Sequence, residues 1–115
     1  MEDFEKKVIK DIIVEVVNLT RATFKEAGEL KKILADDYEL RFKKIVVDIS
    51  QCDFIDSTFL GVLVVALKNT SKIGGELKLV RPRSDVLSVM SNVGSLKIFN
   101  SFETLNEALQ SFKAN

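Results

Sequence analysis

An aspartate followed by two hydroxyl side chains, Asp56, Ser57 and Thr58, is the stretch of this sequence with the clearest chemical potential. The three residues stand directly before the apolar run 59–67. In one interpretation they only begin a helix, because Asp56 or Ser57 can accept a hydrogen bond from a free N–H of the first turn, worth about 1 kcal/mol. In the other, Ser57 accepts a phosphate group, which the dipole and the free N–H groups of a helix start favour. The residues alone leave both interpretations open.

The other residues that could do chemistry point away from catalysis. The chain contains no histidine, which removes Ser–His and Cys–His nucleophile pairs and His-based metal sites. Cys52 is the one cysteine, so no internal disulfide is possible, and packing is favoured over redox sensing. Asp48 and Asp53 suggest a carboxylate pair or a metal site, but a hydrogen bond from the backbone to Asp48 is the favoured interpretation. A carboxylate or lysine mechanism remains conceivable, but these residues disfavour catalysis, and we expect neither a metal site nor a cofactor.

Composition describes an ordinary globular protein. The 115 residues carry 17 Lys or Arg and 17 Asp or Glu, so the formal net charge is zero and nothing suggests a nucleic-acid partner. The charged N-terminus lacks the apolar core of a secretory signal, and the longest apolar run is too short to span a bilayer. We expect a cytoplasmic protein without a membrane partner, formed by a single domain over residues 1–115.

Apolar segments of two periods alternate along the chain and predict its elements. Residues 11–17 and 43–50 are short β-branched runs typical of strands, and residues 4–9 could pair with the first of them as an antiparallel neighbour. A further strand follows the Gly74–Gly75 turn and ends at Val80. Strands that alternate with helices predict an α/β domain with a mixed, largely parallel sheet of four to five strands and about four helices.

Four helices are predicted from their caps and apolar spacing. Thr23 and Glu26 have the spacing of a capping box, followed by a stripe of apolar side chains from residue 24 to residue 34. Residues 58–68 carry three valines, which favour a strand, but their length and the Asp-Ser-Thr start favour a largely buried helix. Ser84 is predicted to cap a short helix, and Ser101 a last helix with the apolar stripe Phe102, Leu105, Leu109 and Phe112.

The segment IVVDISQCDFIDSTFLGVLVVALKNTSKIGGELKLV resembles the signature region of STAS domains, the anti-sigma factor antagonist family. In that family a strand with an acidic or amide residue, here Asp48, leads to a loop that ends in Asp-Ser-Ser/Ala-Gly-Leu-Gly at a helix start. Asp56, Ser57, Leu60 and Gly61 match this motif position for position, with Thr58 as a mild variant. The Gly-Gly turn and the C-terminal NVGSLKIFNSFETLNEAL extend the resemblance over roughly residues 43–112.

The resemblance implies a bacterial regulator that is not an enzyme, has no catalytic residue and works by partner switching. The unmodified antagonist binds an anti-sigma factor that is also a Ser/Thr kinase of the GHKL type, and this frees a sigma factor. The kinase phosphorylates the serine that matches Ser57, the phosphorylated form dissociates, and a phosphatase of the PP2C type restores it. We expect Ser57 to be the phosphoacceptor, with Thr58 as the fallback. The expected partner-binding residues are Asp56, Ser57, Thr58, Phe59, Leu60, Asn18 and Thr20.

Two departures from the family pattern leave an alternative open. Phe59 replaces the family's glycine, and its ring either adds a core contact or contacts a partner. The N-terminal half lacks the family's Gly-Glu-Leu-Asp motif, and Asn18, Leu19 and Thr20 are the nearest equivalents. The alternative is a STAS module that is not phosphorylated and instead acts as a scaffold or binds a small ligand.

Overall fold

The structure, a computed structural model, describes residues 2–82 and 98–112. Seven strands and three helices lie within these ranges. The strands are β1 (Phe4–Ile9), β2 (Ile12–Val17), β3 (Arg21–Ala22), β4 (Lys44–Asp48), β5 (Phe54–Ile55), β6 (Glu76–Val80) and β7 (Asn100–Phe102). The helices are α1 (Phe24–Glu39), α2 (Ser57–Lys72) and α3 (Leu105–Ser111). The predicted α/β fold is confirmed.

The main sheet has five strands in the order β1-β2-β4-β6-β7. β1 pairs with β2 as an antiparallel hairpin, whereas the pairs β2–β4, β4–β6 and β6–β7 are parallel. The mixed, largely parallel sheet is therefore confirmed. β4 lies at its centre, and its Ile45, Val46 and Val47 are all buried, as the β-branched composition of this run predicts.

Each face of the sheet is covered by helices. α1 and α2 pack on one face, where side chains such as Ile13, Val17 and Leu79 form the larger core cluster. α3 packs on the opposite face, over a smaller cluster that contains Val14, Val46 and Phe112. The three inner strands β2, β4 and β6 are mostly buried because helices cover both faces of the sheet, whereas the edge strand β1 is largely exposed.

Local signals correctly located α1, α2 and the turn before β6. Thr23 and Glu26 form the predicted capping box, and the ambiguous valine-rich segment is a helix that begins at Ser57. At the turn, Gly74 has a φ of 77°, which favours glycine. A Cβ at Gly75 would lie 2.6 Å from the Lys43 carbonyl oxygen, so this glycine allows close backbone approach.

The start of the last helix was predicted wrongly. Phe102 is the end of β7, where it pairs with Val80, and the helix begins at Leu105 with Thr104 rather than Ser101 as its cap. The Thr104 hydroxyl accepts a hydrogen bond from the Glu107 backbone N–H at 3.1 Å. Pairing with a neighbouring strand outweighed the capping preference of Ser101, and a sequence window cannot detect that neighbour. The short helix predicted after Ser84 lies outside the described residues.

Two further features differ from the predictions. The strands β3 and β5 form a separate two-stranded sheet, which no apolar run predicted. Phe24 was assigned to the apolar stripe of α1 but is 66% exposed. At 100° per residue it lies about 90° around the helix from the centre of the buried face formed by Ala27, Leu30 and Leu34.

Within the described part of the chain, the longest helices have 16 residues, and none combines the length and apolar character that a membrane crossing requires.

Candidate functional site

The two-stranded sheet of β3 and β5 brings the starts of α1 and α2 side by side. Arg21 pairs with Phe54 and Ala22 with Ile55 in parallel register. The Asp56 backbone N–H continues this pairing with a 3.1 Å hydrogen bond to the Ala22 carbonyl oxygen. Because each short strand leads directly into a helix, the first turns of both helices open at one edge of the molecule.

The Asp56 carboxylate links the two helix starts. Its Oδ1 accepts a hydrogen bond from the Phe59 N–H of α2 at 2.9 Å, and its Oδ2 accepts one from the Phe24 N–H of α1 at 2.8 Å. The first bond is the predicted helix cap, whereas the second joins residues that are 32 positions apart. The negative charge of this carboxylate also interacts favourably with the positive N-terminal ends of both helix dipoles. Asp56 is therefore a structural residue for both helices.

Ser57 and Thr58 are both exposed in the first turn of α2. The capping hydrogen bond of α2 is accepted by Asp56 and not by Ser57. The Ser57 hydroxyl makes no hydrogen bond within the described residues. The Ser57 and Thr58 backbone N–H groups belong to the free donors that every helix start presents. An accessible alcohol beside free N–H groups is a suitable position for an added anion.

Phe59 and Leu60, which were expected to contact a partner, face the core instead. Phe59 is completely buried and is the largest fully buried side chain among the described residues, and Leu60 is also buried. The first-turn glycine of the family motif is thus replaced by a ring that packs beneath the helix start. Neither side chain is exposed on this surface, and the burial of Phe59 supports the interpretation that its ring adds a core contact.

The other two expected contact residues lie in the β2–β3 connection. The Asn18 side-chain amide donates hydrogen bonds to the Glu2 carbonyl oxygen at 3.0 Å and to Glu5 Oε1 at 2.7 Å, so it is committed to the β1–β2 hairpin. Thr20 is exposed, and its carbonyl oxygen accepts bonds from the Asp53 and Phe54 N–H groups. Thr20 therefore joins the β4–β5 connection directly, and Asn18 links the hairpin to the same connection, because its Oδ1 accepts a hydrogen bond from Gln51 Nε2 at 3.3 Å.

Exposed aromatic side chains at the same edge were not found by sequence reasoning. The Arg21 guanidinium lies 4.3 Å from the centre of the Phe54 ring, which is partly exposed. Phe24, in the first turn of α1, has an exposed ring, and its backbone N–H donates a hydrogen bond to Asp56. Arginine and aromatic residues are enriched at protein interfaces. The pairing of β3 with β5 creates this arrangement, and no local pattern reveals it.

A groove of about 430 Å³ begins beside the helix start and runs between α1 and α2. Its lining is mostly apolar and includes the exposed Val65. The residues that line it are Lys31, Leu34, Ala35, Tyr38, Thr58, Gly61, Val62, Val65, Ala66 and Asn69.

The loop that leads to the site holds two further predicted residues. Asp48 Oδ1 accepts a hydrogen bond from the Ser50 backbone N–H at 3.0 Å, which confirms its expected role. Cys52 is buried in the core, and burial, with smaller effects of Asp48 and Asp53, raises the pKa of its thiol to about 12. A buried thiol with so high a pKa is unreactive, so the packing interpretation is supported.

Comparison with known proteins identifies the family of the chain. The family model described as the STAS domain matches residues 3–108. A protein of Thermotoga neapolitana, whose name describes it as a homologue of the anti-sigma factor antagonist TM1081, is 32% identical over 108 residues. The match covers 93% of this chain and 95% of that protein.

Solved structures share the fold. A crystal structure from Thermotoga maritima, named as that of an anti-sigma factor antagonist, superposes with a TM-score of 0.82 at 29% identity and covers 94% of this chain and 92% of the other. Unphosphorylated SpoIIAA superposes with a TM-score of 0.77 at 14% identity, covering 97% of this chain and 99% of that one. Phosphorylated SpoIIAA, a Bacillus cell fate determinant, superposes with a TM-score of 0.72 at 14% identity, covering 95% and 98%.

Proposed function

This chain belongs to the STAS domain family, and we propose that it is an anti-sigma factor antagonist controlled by phosphorylation of Ser57. Its relatives at about 30% identity carry the name of anti-sigma factor antagonists. SpoIIAA has been solved both with and without its phosphate, which supports a fold that accepts this modification without unfolding.

The observation that carries the proposal is the division of tasks at the start of α2. Asp56 performs the capping, and Ser57 keeps an exposed hydroxyl with no structural hydrogen bond within the described residues. Phosphorylation of Ser57 therefore breaks no hydrogen bond among residues 2–82 and 98–112. The free N–H groups of the first turn stabilise the added anion, although the negative charge of Asp56 opposes it.

The phosphate would act as a switch because it would lie in the interface with the partner and lower the affinity for it. We propose that the partner is an anti-sigma factor with GHKL-type Ser/Thr kinase activity, which binds the edge formed by Ser57, Thr58 and the exposed aromatic side chains. A phosphate adds about −1.5 to −2 charges. Removing that charge from water in an interface costs several kcal/mol unless it finds a partner, and each 1.4 kcal/mol lowers affinity tenfold. A PP2C-type phosphatase would restore binding.

Two variants of Ser57 test this proposal. After incubation with the cognate kinase and ATP, peptide mass spectrometry is expected to find phosphate on Ser57 of the wild type and none on the Ser57→Ala variant. In a binding titration, Ser57→Asp is expected to lower kinase affinity at least tenfold, whereas the neutral Ser57→Ala variant retains it. Phosphorylation that continues unchanged in Ser57→Ala, at Thr58 or elsewhere, would contradict the assignment of Ser57.

The groove between α1 and α2 favours a second candidate function, a STAS module that binds a small apolar ligand. Its volume suits such a ligand, and Thr58 connects it with the helix start. A Cβ at Gly61 would meet no atom within 4 Å, so Gly61→Leu is expected to fill the groove without displacing the fold. This variant separates the two functions, because it would abolish ligand-induced thermal stabilisation and leave phosphorylation of Ser57 intact.

A further inference from the structure

Three charged side chains meet beneath the C-terminal half of α1, far along that helix from the phosphorylation site. Glu15 lies on β2 between Ile13 and Val17, on the face of the sheet that α1 and α2 cover. Asp37 lies near the end of α1, and Lys6 is opposite Glu15 on β1. The Glu15 and Asp37 side chains are 1% and 0% exposed, whereas that of Lys6 is 41% exposed.

The charges of this cluster do not balance if both carboxyl groups are ionised. Lys6 Nζ is 2.7 Å from Asp37 Oδ1 and 3.4 Å from Glu15 Oε2. One ammonium group would then face two buried carboxylates. In addition, Glu15 Oε2 and Asp37 Oδ2 have no hydrogen-bond partner among the described residues. An unpaired buried charge and two unsatisfied oxygens would each destabilise the fold.

A single proton held between the two carboxyl groups removes both problems. It leaves one negative charge for Lys6 and lets one carboxyl group donate a hydrogen bond to the other. Burial raises the pKa of Glu15 to about 9, and the neighbouring Asp37 carboxyl group adds to the rise despite the opposing effect of Lys6. The β4 residue opposite Glu15 is the apolar Val47, so the charged groups that face Glu15 are Lys6 from β1 and Asp37 from α1.

We propose that Glu15 and Asp37 share one proton in the folded protein, and that this proton, together with Lys6, fastens the end of α1 to the β1–β2 hairpin. The contact is a pH-sensitive anchor. When the pair loses its proton at alkaline pH, two buried carboxylates repel each other across the α1–β2 contact, and Lys6 balances only one of them. The end of α1 then separates from the hairpin more readily.

The direction of the pH dependence follows from the number of bound protons. Between the ordinary glutamate pKa of about 4.3 and the raised value of about 9, the folded state holds a proton on this pair that the unfolded chain has released. Raising the pH therefore favours unfolding, by up to about tenfold in the unfolding equilibrium constant per pH unit. The effect levels off above the raised pKa.

The Glu15→Gln variant tests the anchor directly. Glutamine has nearly the same shape and carries a permanent N–H donor toward Asp37, so it imitates the protonated glutamate at every pH. Denaturant unfolding is measured for both proteins from about pH 6 to about pH 9. The unfolding constant of the wild type is expected to rise relative to that of Glu15→Gln on the order of 100-fold over this range. A ratio that does not change with pH would overturn the proposal.

Asp11→Asn is the matched control on the same hairpin. Asp11 is exposed and pairs with Lys44 at 2.8 Å, and the hydrogen bond from Lys44 lowers the pKa of its carboxyl group. Its contribution to stability is lost only as the pH falls through that lowered pKa. The ratio of wild type to Asp11→Asn is therefore expected to stay constant over the same range.

A measurement on the wild type makes the test independent of any variant. Carbon-13 NMR of the side-chain carboxyl groups is expected to show the Glu15 pair titrating far above the ordinary glutamate range. Hydrogen exchange at the end of α1 is expected to accelerate over the same pH interval beyond the intrinsic rate increase. Titration of Glu15 in the ordinary acidic range would show that no proton is shared.

Discussion

The starts of α1 and α2 solve the same problem with different residues. At α1 the Thr23 hydroxyl is the cap. It accepts a hydrogen bond from the Lys25 N–H at 3.3 Å, and Glu26 Oε1 accepts one from the Thr23 N–H at 3.0 Å. At α2 the cap is the Asp56 carboxylate, and the hydroxyl comes one residue later. A hydroxyl at the cap position is committed to the helix, whereas a hydroxyl at the first helical position is available for chemistry.

The two first turns also differ in where they place an aromatic ring. Phe24 begins α1 and is largely exposed, whereas Phe59, in the first turn of α2, is completely buried. The start of α2 is therefore stabilised by the Phe59 ring in the core and by the hydrogen bonds of Asp56. This support keeps the backbone around Ser57 in place while the Ser57 side chain remains accessible.

The largest expected effect distinguishes the two rings. Phe59→Ala is expected to lower the free energy of unfolding by about 3–5 kcal/mol, because it leaves a cavity in the core. Phe24→Ala, the matched control, is expected to change it by less than about 0.5 kcal/mol, since its ring is exposed. Urea denaturation at neutral pH measures both. Similar losses for the two variants would mean that the first turns do not differ in their support.

The next effect concerns the carboxylate that the two helices share. Asp56→Ala removes hydrogen bonds to Phe24 and Phe59 and is expected to cost about 2 kcal/mol, near the upper limit for a cap. Asp56→Asn keeps one accepting oxygen and is expected to lose less. Urea denaturation and hydrogen exchange at both N–H groups provide the measurement. Faster exchange at Phe59 alone would show that Asp56 does not stabilise α1.

The smallest effect compares the two hydroxyls directly. Thr23→Ala is expected to cost about 1 kcal/mol, because it removes a helix cap. Ser57→Ala is expected to stay within about 0.5 kcal/mol of the wild type, since the hydroxyl it removes makes no bond to the described residues. Thermal and urea unfolding of the two variants under identical conditions measure the difference. A substantial loss in Ser57→Ala would identify Ser57 as a structural residue and weaken its proposed role.

Predictions from the sequence succeeded where the controlling interactions are close along the chain. The Thr23–Glu26 capping box and the cap at Asp56 both involve residues three positions apart, so their spacing is visible in the sequence. The same reasoning failed at Ser101, because Phe102 belongs to the strand β7. This strand pairs with β6, more than twenty residues earlier in the chain. Glu15 was overlooked for a similar reason. An acidic residue inside the apolar run IIVEVV was a signal, but its partners Lys6 and Asp37 lie on β1 and α1.

The sequence by itself determined the alternation of strands and helices, the family motif around Ser57 and the caps of α1 and α2, because these depend on residue type and on spacing within one or two turns. Only the tertiary structure decided that Asp56 serves two helices, that Phe59 and Leu60 face inward, and that Glu15 and Asp37 meet. These arrangements depend on which elements pack together, and packing joins side chains whose separation in the sequence carries no periodic signal.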